Sequence, residues 1–334
     1  MRRNRTFAFP VVLVFLAVAA AQTPPARDVP LLQLKVKEKL PVLTLVRNLW
    51  GIHSQCDDKG NVYYQPPREA IVRVSADGRK VTYIDLKTLS DFRPYFSHWT
   101  VGLRGEVHLI AYNQKEGNPS LLTFDDEGKL ESADPLDSKF LFYHFAVFPT
   151  GELLAAGQAL HEGINDTEGE PYTAVFDRNG KLLKELSLEG DVKQQKDSRG
   201  GFMREVVLGG EVPAEDGNIY LMRQTEKHLF FVISPGGEVM RKFTLVSPSE
   251  DWYCYPEFFV AGGKILLGFY RPGAEDRSRG TMVYCLYDAE SGEHQADFES
   301  SPEISGTLAC YTPNQFTFLS VADDGLSLIH AVPK

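Results

Sequence analysis

Hydrophobic and polar residues alternate along most of the chain in short runs that are typical of β-strands. Such runs are rich in Val, Ile, Leu, Phe and Tyr and are separated by Asp/Gly turns; examples are 61–64, 107–110, 173–176 and 264–268. No segment combines helical period with helical length. The pattern therefore predicts an all-β protein.

The turns between these runs form two interleaved series, each with a period of about 50 residues. The first series is marked by Gly60, Gly105, Gly151, Gly217, Gly263 and Gln315. The second series is marked by Gly78, Gly128, Gly180, Gly237 and Gly292. Two tight hairpins per period give four antiparallel strands per repeat, which is the blade of a β-propeller. Six repeats fit, so the sequence predicts a six-bladed β-propeller.

The last repeat has only three strands, predicted at Thr307–Thr312, Phe316–Ala322 and Leu326–Val332. We expect the missing outer strand to come from the N-terminal side, near Leu31–Lys37. That strand would close the ring and remove an open sheet edge. The predicted propeller domain therefore spans residues 31–334.

Two of the first-series turns resemble a known repeat. Residues 57–63 read Asp-Asp-Lys-Gly-Asn-Val-Tyr, and residues 215–220 read Glu-Asp-Gly-Asn-Ile-Tyr. Both are similar to the D-x-x-G-N-[IV]-Y core of NHL-type six-bladed propellers, and the resemblance covers the mature chain as a repeat pattern. It implies an architecture and leaves the function open, because propellers include binding proteins, lyases, lactonases and scaffolds.

The N-terminus has the pattern of a secretory signal. Arg2, Arg3 and Arg5 precede the apolar run Phe7–Ala21, which ends in small residues and is shorter than the roughly 20 residues that span a bilayer. We expect residues 1–21 to be a cleaved Sec-type signal and residues 22–30 a linker; an uncleaved anchor is the alternative. The protein is then secreted or periplasmic, in a bacterium.

Removal of that segment makes the protein more acidic. It carries three arginines and no acids, so the net charge of −10 becomes −13. An acidic surface disfavours nucleic acid and anionic lipid. No later segment is apolar for long enough to span a membrane, and we expect a monomer.

In a propeller, both turn series lie on one face, so the longer connections lie on the other, which we call the long-loop face. Functional residues often lie in long loops, and aromatic rings stack on sugars, peptides and other ligands. The ligand-binding candidates on this face are Trp50, Tyr95, Trp99, Tyr143, Arg204, Trp252, Tyr255 and Arg271. The alternative is that the rings pack between blades and the arginines are solvated.

Three histidines occupy one repeat position. His53, His98 and His144 each stand seven residues before a turn glycine, which puts them at equivalent heights on the first strands of blades 1 to 3. Three imidazoles that meet at the channel would suit Zn²⁺ or another divalent metal with an open position. Histidines at the channel also occur in some six-bladed propeller lyases. A repeated structural histidine is the alternative, and blades 4 to 6 have no histidine at this position.

The four cysteines fall into two pairs. Cys56 and Cys310 occupy nearly the same place on the first strands of blades 1 and 6, where a disulfide would lock the ring. We expect Cys254 and Cys285 to stay free, near opposite ends of blade 5.

Two functions remain open from the sequence. The first is a secreted binding or interaction module that recognises a small molecule, peptide, sugar or protein on the long-loop face. The second is a metal-dependent lyase or hydrolase that uses His53, His98 and His144. No nucleophile-elbow, Walker, H-E-x-x-H or dinucleotide-binding motif is present. No cofactor is assigned beyond the divalent metal of the second reading.

Overall fold

The computed structural model describes residues 29–42, 53–66, 69–137, 139–159, 170–189, 195–196, 202–203, 210–224, 228–273, 280–313, 315–322 and 325–334. The predicted signal segment 1–21 and most of the linker 22–30 lie outside this part of the chain. Across the described residues the elements are β-strands, with a single 3-10 turn at Leu86–Thr88. The all-β prediction is confirmed.

The chain begins with β1 (Leu31–Val42) and then forms three four-stranded antiparallel sheets. Sheet 1 contains β2 (His53–Cys56), β3 (Val62–Gln65), β4 (Ile71–Val74) and β5 (Val81–Ile84). Sheet 2 contains β6 (Phe92–Val101), β7 (Val107–Asn113), β8 (Pro119–Phe124) and β9 (Leu130–Pro135). Sheet 3 contains β10 (Phe140–Val147), β11 (Leu153–Ala159), β12 (Glu170–Phe176) and β13 (Leu182–Leu186).

A short hairpin of β14 (Gln195–Lys196) and β15 (Phe202–Met203) precedes the fourth sheet. Sheet 4 contains β16 (Glu211–Pro213), β17 (Ile219–Gln224), β18 (His228–Ile233) and β19 (Val239–Leu245). The remaining strands are β20 (Tyr253–Ala261), β21 (Lys264–Arg271), β22 (Thr281–Asp288), β23 (His294–Ser300), β24 (Thr307–Thr312), β25 (Gln315–Ala322) and β26 (Gly325–Pro333).

These last strands join β1 in one eight-stranded sheet, in the order β20-β21-β22-β23-β1-β26-β25-β24. β1 runs parallel to β23, with Leu31 opposite Asp297, and antiparallel to β26, with Val42 opposite Leu326. The sequence predicted two separate four-stranded units here. They share one ladder because β1 bonds to the outer strand on each side. β1 also continues to Val42, beyond the predicted end at Lys37.

The hydrophobic core lies between successive sheets. Tyr63 and Ile71 of sheet 1, for example, pack in one cluster with Leu109 and Leu122 of sheet 2. A middle strand such as β3 is buried along its whole length because both faces of its sheet are covered. The first strands also contact one another in a cycle: β2–β6, β6–β10, β10–β16, β16–β20, β20–β24 and β24–β2. The arrangement is that of a β-propeller.

The sequence motif at residues 57–63 builds the turn between β2 and β3. Gly60 has φ +77°, a conformation that glycine adopts without steric cost. The Asp57 carboxylate accepts hydrogen bonds from the backbone N–H of Asn61 at 2.9 Å and from the Asn61 amide at 2.7 Å. Tyr63 Oη lies 3.1 Å from Asp57 and also donates to the Gly105 carbonyl of sheet 2. The motif therefore links neighbouring sheets as well as closing a hairpin.

Candidate functional site

A cavity of about 410 Å³ lies among the first strands of the sheets. Its walls come from β2, β6, β10, β16, β20 and β24 and from the turns that follow them. Because every sheet contributes a wall, the cavity lies on the axis of the propeller. A concave site of this size suits a small ligand.

The two ends of the cavity differ in chemistry. His53 begins β2 and His144 lies within β10, so both imidazoles are on the side of the long-loop face. At the other end, Asp58 and Glu215 belong to the tight hairpin turns. Between the ends the wall is mostly apolar, with Val101, Val212, Phe258, Phe259 and Val260.

Gln55 fixes the wall near His53. Its amide nitrogen lies 2.6 Å from His53 Nε2, and its carbonyl oxygen accepts from the Val101 backbone N–H at 2.8 Å and from Thr100 Oγ1 at 3.2 Å. First strands of neighbouring blades do not share a ladder, so Gln55 satisfies backbone groups that would otherwise lack a partner. The His53 ring also meets the Trp99 ring edge-on at 5.0 Å.

Irregular pairing coincides with the repeat position that the histidines occupy. The ladders of four first strands shift register between Pro94 and Trp99, Phe142 and His144, Cys254 and Phe258, and Leu308 and Cys310. Bulges re-aim side chains and are frequent near binding sites. At the histidine position of the repeat, the side chains of these first strands therefore depart from the regular alternation between the two faces of a strand.

A buried ion pair supports the wall at sheet 4. Glu211 Oε1 lies 3.6 Å from Arg223 Nη1, and the two side chains are only 3% and 1% exposed. Arg223 Nη2 donates to Thr173 Oγ1 of sheet 3 at 2.8 Å. The pair neutralises an acidic group beside the cavity and connects two blades.

Glu257 of β20 is an acidic group of the cavity wall near the start of its strand. Its side chain is accessible from the cavity, and the surrounding protein desolvates it enough to raise its pKa. Among the described residues it forms no ion pair or hydrogen bond. The described cavity wall contains five acids, Asp57, Asp58, Glu211, Glu215 and Glu257, and neither lysine nor arginine.

Two exposed tyrosines lie on the same strand as Glu257. Tyr253 and Tyr255 begin β20 and are 58% and 47% exposed. With Cys254 and Tyr270 they line a shallow depression of about 330 Å³. Such exposed rings are available for stacking.

The structure separates the sequence-predicted ligand residues into two groups. Trp99 and Tyr143 line the axial cavity, where Trp99 is only 3% exposed and Tyr143 donates to Gln158 Oε1 at 2.7 Å. Trp252, Tyr255 and Arg271 lie at the ends of β20 and β21, with the Arg271 guanidinium 5.8 Å from the Trp252 ring centre. Trp252 packs partly into the core between sheet 4 and β20–β22, as the packing alternative predicts for a ring.

The remaining predicted residues are described only in part. Trp50 and Arg204 lie outside the described residues. Tyr95 and His98 lie on β6. Of the three histidines, His53 and His144 line the same cavity. The shared metal site of three histidines stays a prediction.

A disulfide joins Cys56 on β2 to Cys310 on β24, across a sequence separation of 254 residues. It connects the first strands of the two ends of the domain. Disulfides persist mainly outside the reducing cytoplasm. Cys254 and Cys285 form no disulfide, and both pack in the cluster between sheet 4 and β20–β22 instead of at opposite ends.

Sequence reasoning missed the cavity acids Glu211 and Glu257. Both acids stand six residues before a first-series turn glycine, one position after the histidine position of the repeat. The same alignment that revealed the histidines therefore contained them. Gln55 was missed because its role depends on the backbone of the next blade.

Comparison with known proteins finds solved structures of low sequence identity. No protein-family model matches the sequence, and no curated protein matches it. Among solved structures, a putative TolB from Agrobacterium tumefaciens is 12% identical with a TM-score of 0.45, over 85% of this chain and 90% of that chain. A streptogramin B lyase is 10% identical with a TM-score of 0.43, over 90% and 98%. A protein of unknown function from Bacteroides caccae is 12% identical with a TM-score of 0.45, over 78% and 86%.

The described part of the chain contains no helix with the length and hydrophobicity of a membrane span.

Proposed function

We propose that the protein is an exported, six-bladed β-propeller that binds a ligand at the long-loop end of its axial cavity. The six-blade interpretation counts β20–β23 as blade 5 and β24–β26 with β1 as blade 6. It is supported by the cycle of contacts among the six first strands and by the position of β1 between β23 and β26. The relation of its turns to NHL repeats is part of the same proposal.

Export is supported by two independent features. The N-terminal segment has the charged, apolar and small-residue order of a signal peptide. The Cys56–Cys310 disulfide fits an oxidising compartment, such as the periplasm or the cell exterior.

The observation that carries the binding proposal is the chemistry at one end of the cavity. His53, His144 and Glu257 line the same cavity, and the exposed Tyr253 and Tyr255 lie on the same strand as Glu257. A mostly apolar pocket with a few convergent polar groups is the usual form of a ligand site. The turn end of the cavity has acids but no exposed aromatic residues among its described lining.

The ligand should be neutral or positively charged and should carry a flat or apolar face. The described cavity wall lacks lysine and arginine, so an anion would meet uncompensated carboxylates. A cation would instead approach Glu257, whose charge no described basic group neutralises. A flat face would stack on Tyr255.

A thermal-shift screen followed by calorimetry tests this proposal. The probes are aromatic amines, short peptides with basic or aromatic side chains, and neutral oligosaccharides. For a probe that binds, Tyr255→Ala should weaken binding by about tenfold, the value of a lost stacking contact. Tyr83→Ala is the matched control, because Tyr83 is 53% exposed on β5 of sheet 1. Equal effects of the two changes, or tightest binding of anionic probes, would count against the proposal.

A metal-dependent lyase or hydrolase is the second candidate. It is supported by His53 and His144, which line one cavity at the same repeat position, together with His98 at the equivalent place on β6. This proposal predicts that His144→Gln removes bound divalent metal and activity together. A metal-free protein whose stability chelator does not change would exclude this metal-dependent version.

A further inference from the structure

A second cluster of metal-ligating side chains lies far from the cavity, on the outer half of blade 5. It consists of Cys285 on β22 and of His294 and Asp297 on β23. One ligand atom from each residue, a sulfur, a ring nitrogen and a carboxylate oxygen, lies within 4.8 Å of the other two. Among the described residues this is the one such group of three.

The strand register explains why these residues meet. Cys285 pairs directly with Asp297, so both side chains project from the same side of the sheet. The ladder shifts register between Leu286 and Tyr287, which places Tyr287 opposite His294. The Tyr287 ring stacks on the His294 imidazole with centres 4.8 Å apart and planes 25° apart. The hydroxyl of Tyr287 is in turn held by the Val246 carbonyl at 2.9 Å. Stacking on Tyr287 therefore orients the His294 imidazole before any metal binds.

We propose that Cys285, His294 and Asp297 form a Zn²⁺ site. A thiolate, an imidazole and a carboxylate are the donors that Zn²⁺ takes in proteins. In a tetrahedral zinc site the nitrogen and oxygen donors are about 3.3 Å apart, and sulfur lies about 3.6 Å from each. His294 Nε2 and Asp297 Oδ1 now share a hydrogen bond of 2.7 Å, so they need to separate by only about 0.6 Å, which side-chain rotation provides.

The burial of the cluster suits a bound ion with one open position. Cys285 is fully buried, whereas the His294 and Asp297 side chains are 21% and 13% exposed. Water can therefore reach the imidazole and carboxylate side and occupy a fourth position.

The location of the site on β23, beside the N-terminal strand, indicates a structural role for the ion. Asp297 donates its backbone N–H to the Pro30 carbonyl at 3.0 Å and pairs with Leu31, the first residue of β1. A metal that joins β22 to β23 therefore supports the strand on which the N-terminal strand docks. The role is structural, and it is separate from the axial cavity and from its histidines.

Titration of the chelator-treated full-length protein with Zn²⁺ and Co²⁺ tests the site. We expect one equivalent to bind, a rise in melting temperature, and a thiolate-to-cobalt charge-transfer band in the near ultraviolet. Asp297→Asn, which keeps the shape of the side chain, and Cys285→Ser should each weaken Zn²⁺ binding more than about 100-fold. The matched control is Cys254→Ser, at the other cysteine of the same core cluster that forms no disulfide; it should leave binding and the band unchanged.

The variants also separate this site from the axial histidines. His144→Gln should leave the charge-transfer band intact, because an all-imidazole site has no sulfur ligand. Absence of the band, unchanged affinity in Asp297→Asn, or equal loss in Cys254→Ser would overturn the proposal. If Cys285→Ser fails to fold, Asp297→Asn and the cobalt spectrum of the wild-type protein still decide it.

Discussion

Removal of the Cys56–Cys310 disulfide should cause a large loss of stability. The bond closes a loop across 254 residues, which is most of the domain. In the chain-entropy treatment, a loop of that length restricts the unfolded state by about 5 kcal/mol, and measured values for natural disulfides are commonly about 2–4 kcal/mol. We therefore expect Cys56→Ala/Cys310→Ala to lose about 3 kcal/mol of unfolding free energy.

Urea denaturation followed by tryptophan fluorescence measures this loss. The wild-type protein unfolded and refolded with reductant should show the same loss, which separates the effect of the bond from that of the smaller side chains. Cys254→Ala is the control, because Cys254 is a partly buried cysteine that forms no disulfide. A thiol titration of denatured, unreduced protein should find two free thiols. Four free thiols would mean that the bond does not form, and a double variant within about 0.5 kcal/mol of wild type would mean that it does not stabilise the fold.

Three further changes test the blade interfaces by denaturation. Asp57→Ala removes the acceptor of the Asn61 and Tyr63 hydrogen bonds and should lower the free energy of unfolding by about 3 kcal/mol. Asp58→Ala, at the exposed neighbour, should change it by less than about 0.5 kcal/mol. Similar losses in the two variants would contradict the role of Asp57 in the turn. Arg223→Met leaves Glu211 buried without its cation and should lower the free energy of unfolding by about 3–5 kcal/mol. Adding Glu211→Gln to that variant should restore much of the lost stability. No recovery in the double variant would be evidence against the ion pair. Burial lowers the pKa of His108 to about 4, below its ordinary value near 6.5, so the unfolded state binds the proton first. The free energy of unfolding should then fall by up to about 3 kcal/mol as pH drops from 6.5 to 4. His108→Gln should reduce this dependence on pH. An unchanged dependence in the variant would show that other groups cause it.

The repeat could be predicted from the sequence because each turn has local chemical requirements. Gly60 adopts a positive φ, and Asp57 satisfies the backbone of its own turn, so the residues that set the period are neighbours in the chain. The same holds for the second turn series, where Asp125 accepts from the backbone N–H of Lys129 at 2.8 Å. Turn residues of this kind can be recognised in the sequence before the fold is known.

The candidate site could be predicted only in outline. The histidine position identified His53 and His144 as cavity residues, because equal positions in a repeat lie at equal heights. The role of Gln55 depends on the backbone of β6, and the burial of Trp99 depends on packing between sheets 1 and 2. Contacts between blades join residues that are distant in sequence, so no local pattern reveals them.

We propose above that a ligand binds at the long-loop end of the axial cavity, beside Glu257. Calorimetry of one cationic probe from the screen, with Glu257→Gln and Glu215→Gln as a matched pair at opposite ends of the same cavity, tests it most directly. We predict that Glu257→Gln weakens binding by about 10- to 100-fold through loss of a charge-assisted contact, and that Glu215→Gln changes it less than about twofold. Equal affinities of the two variants, or a larger loss in Glu215→Gln, would contradict the claim.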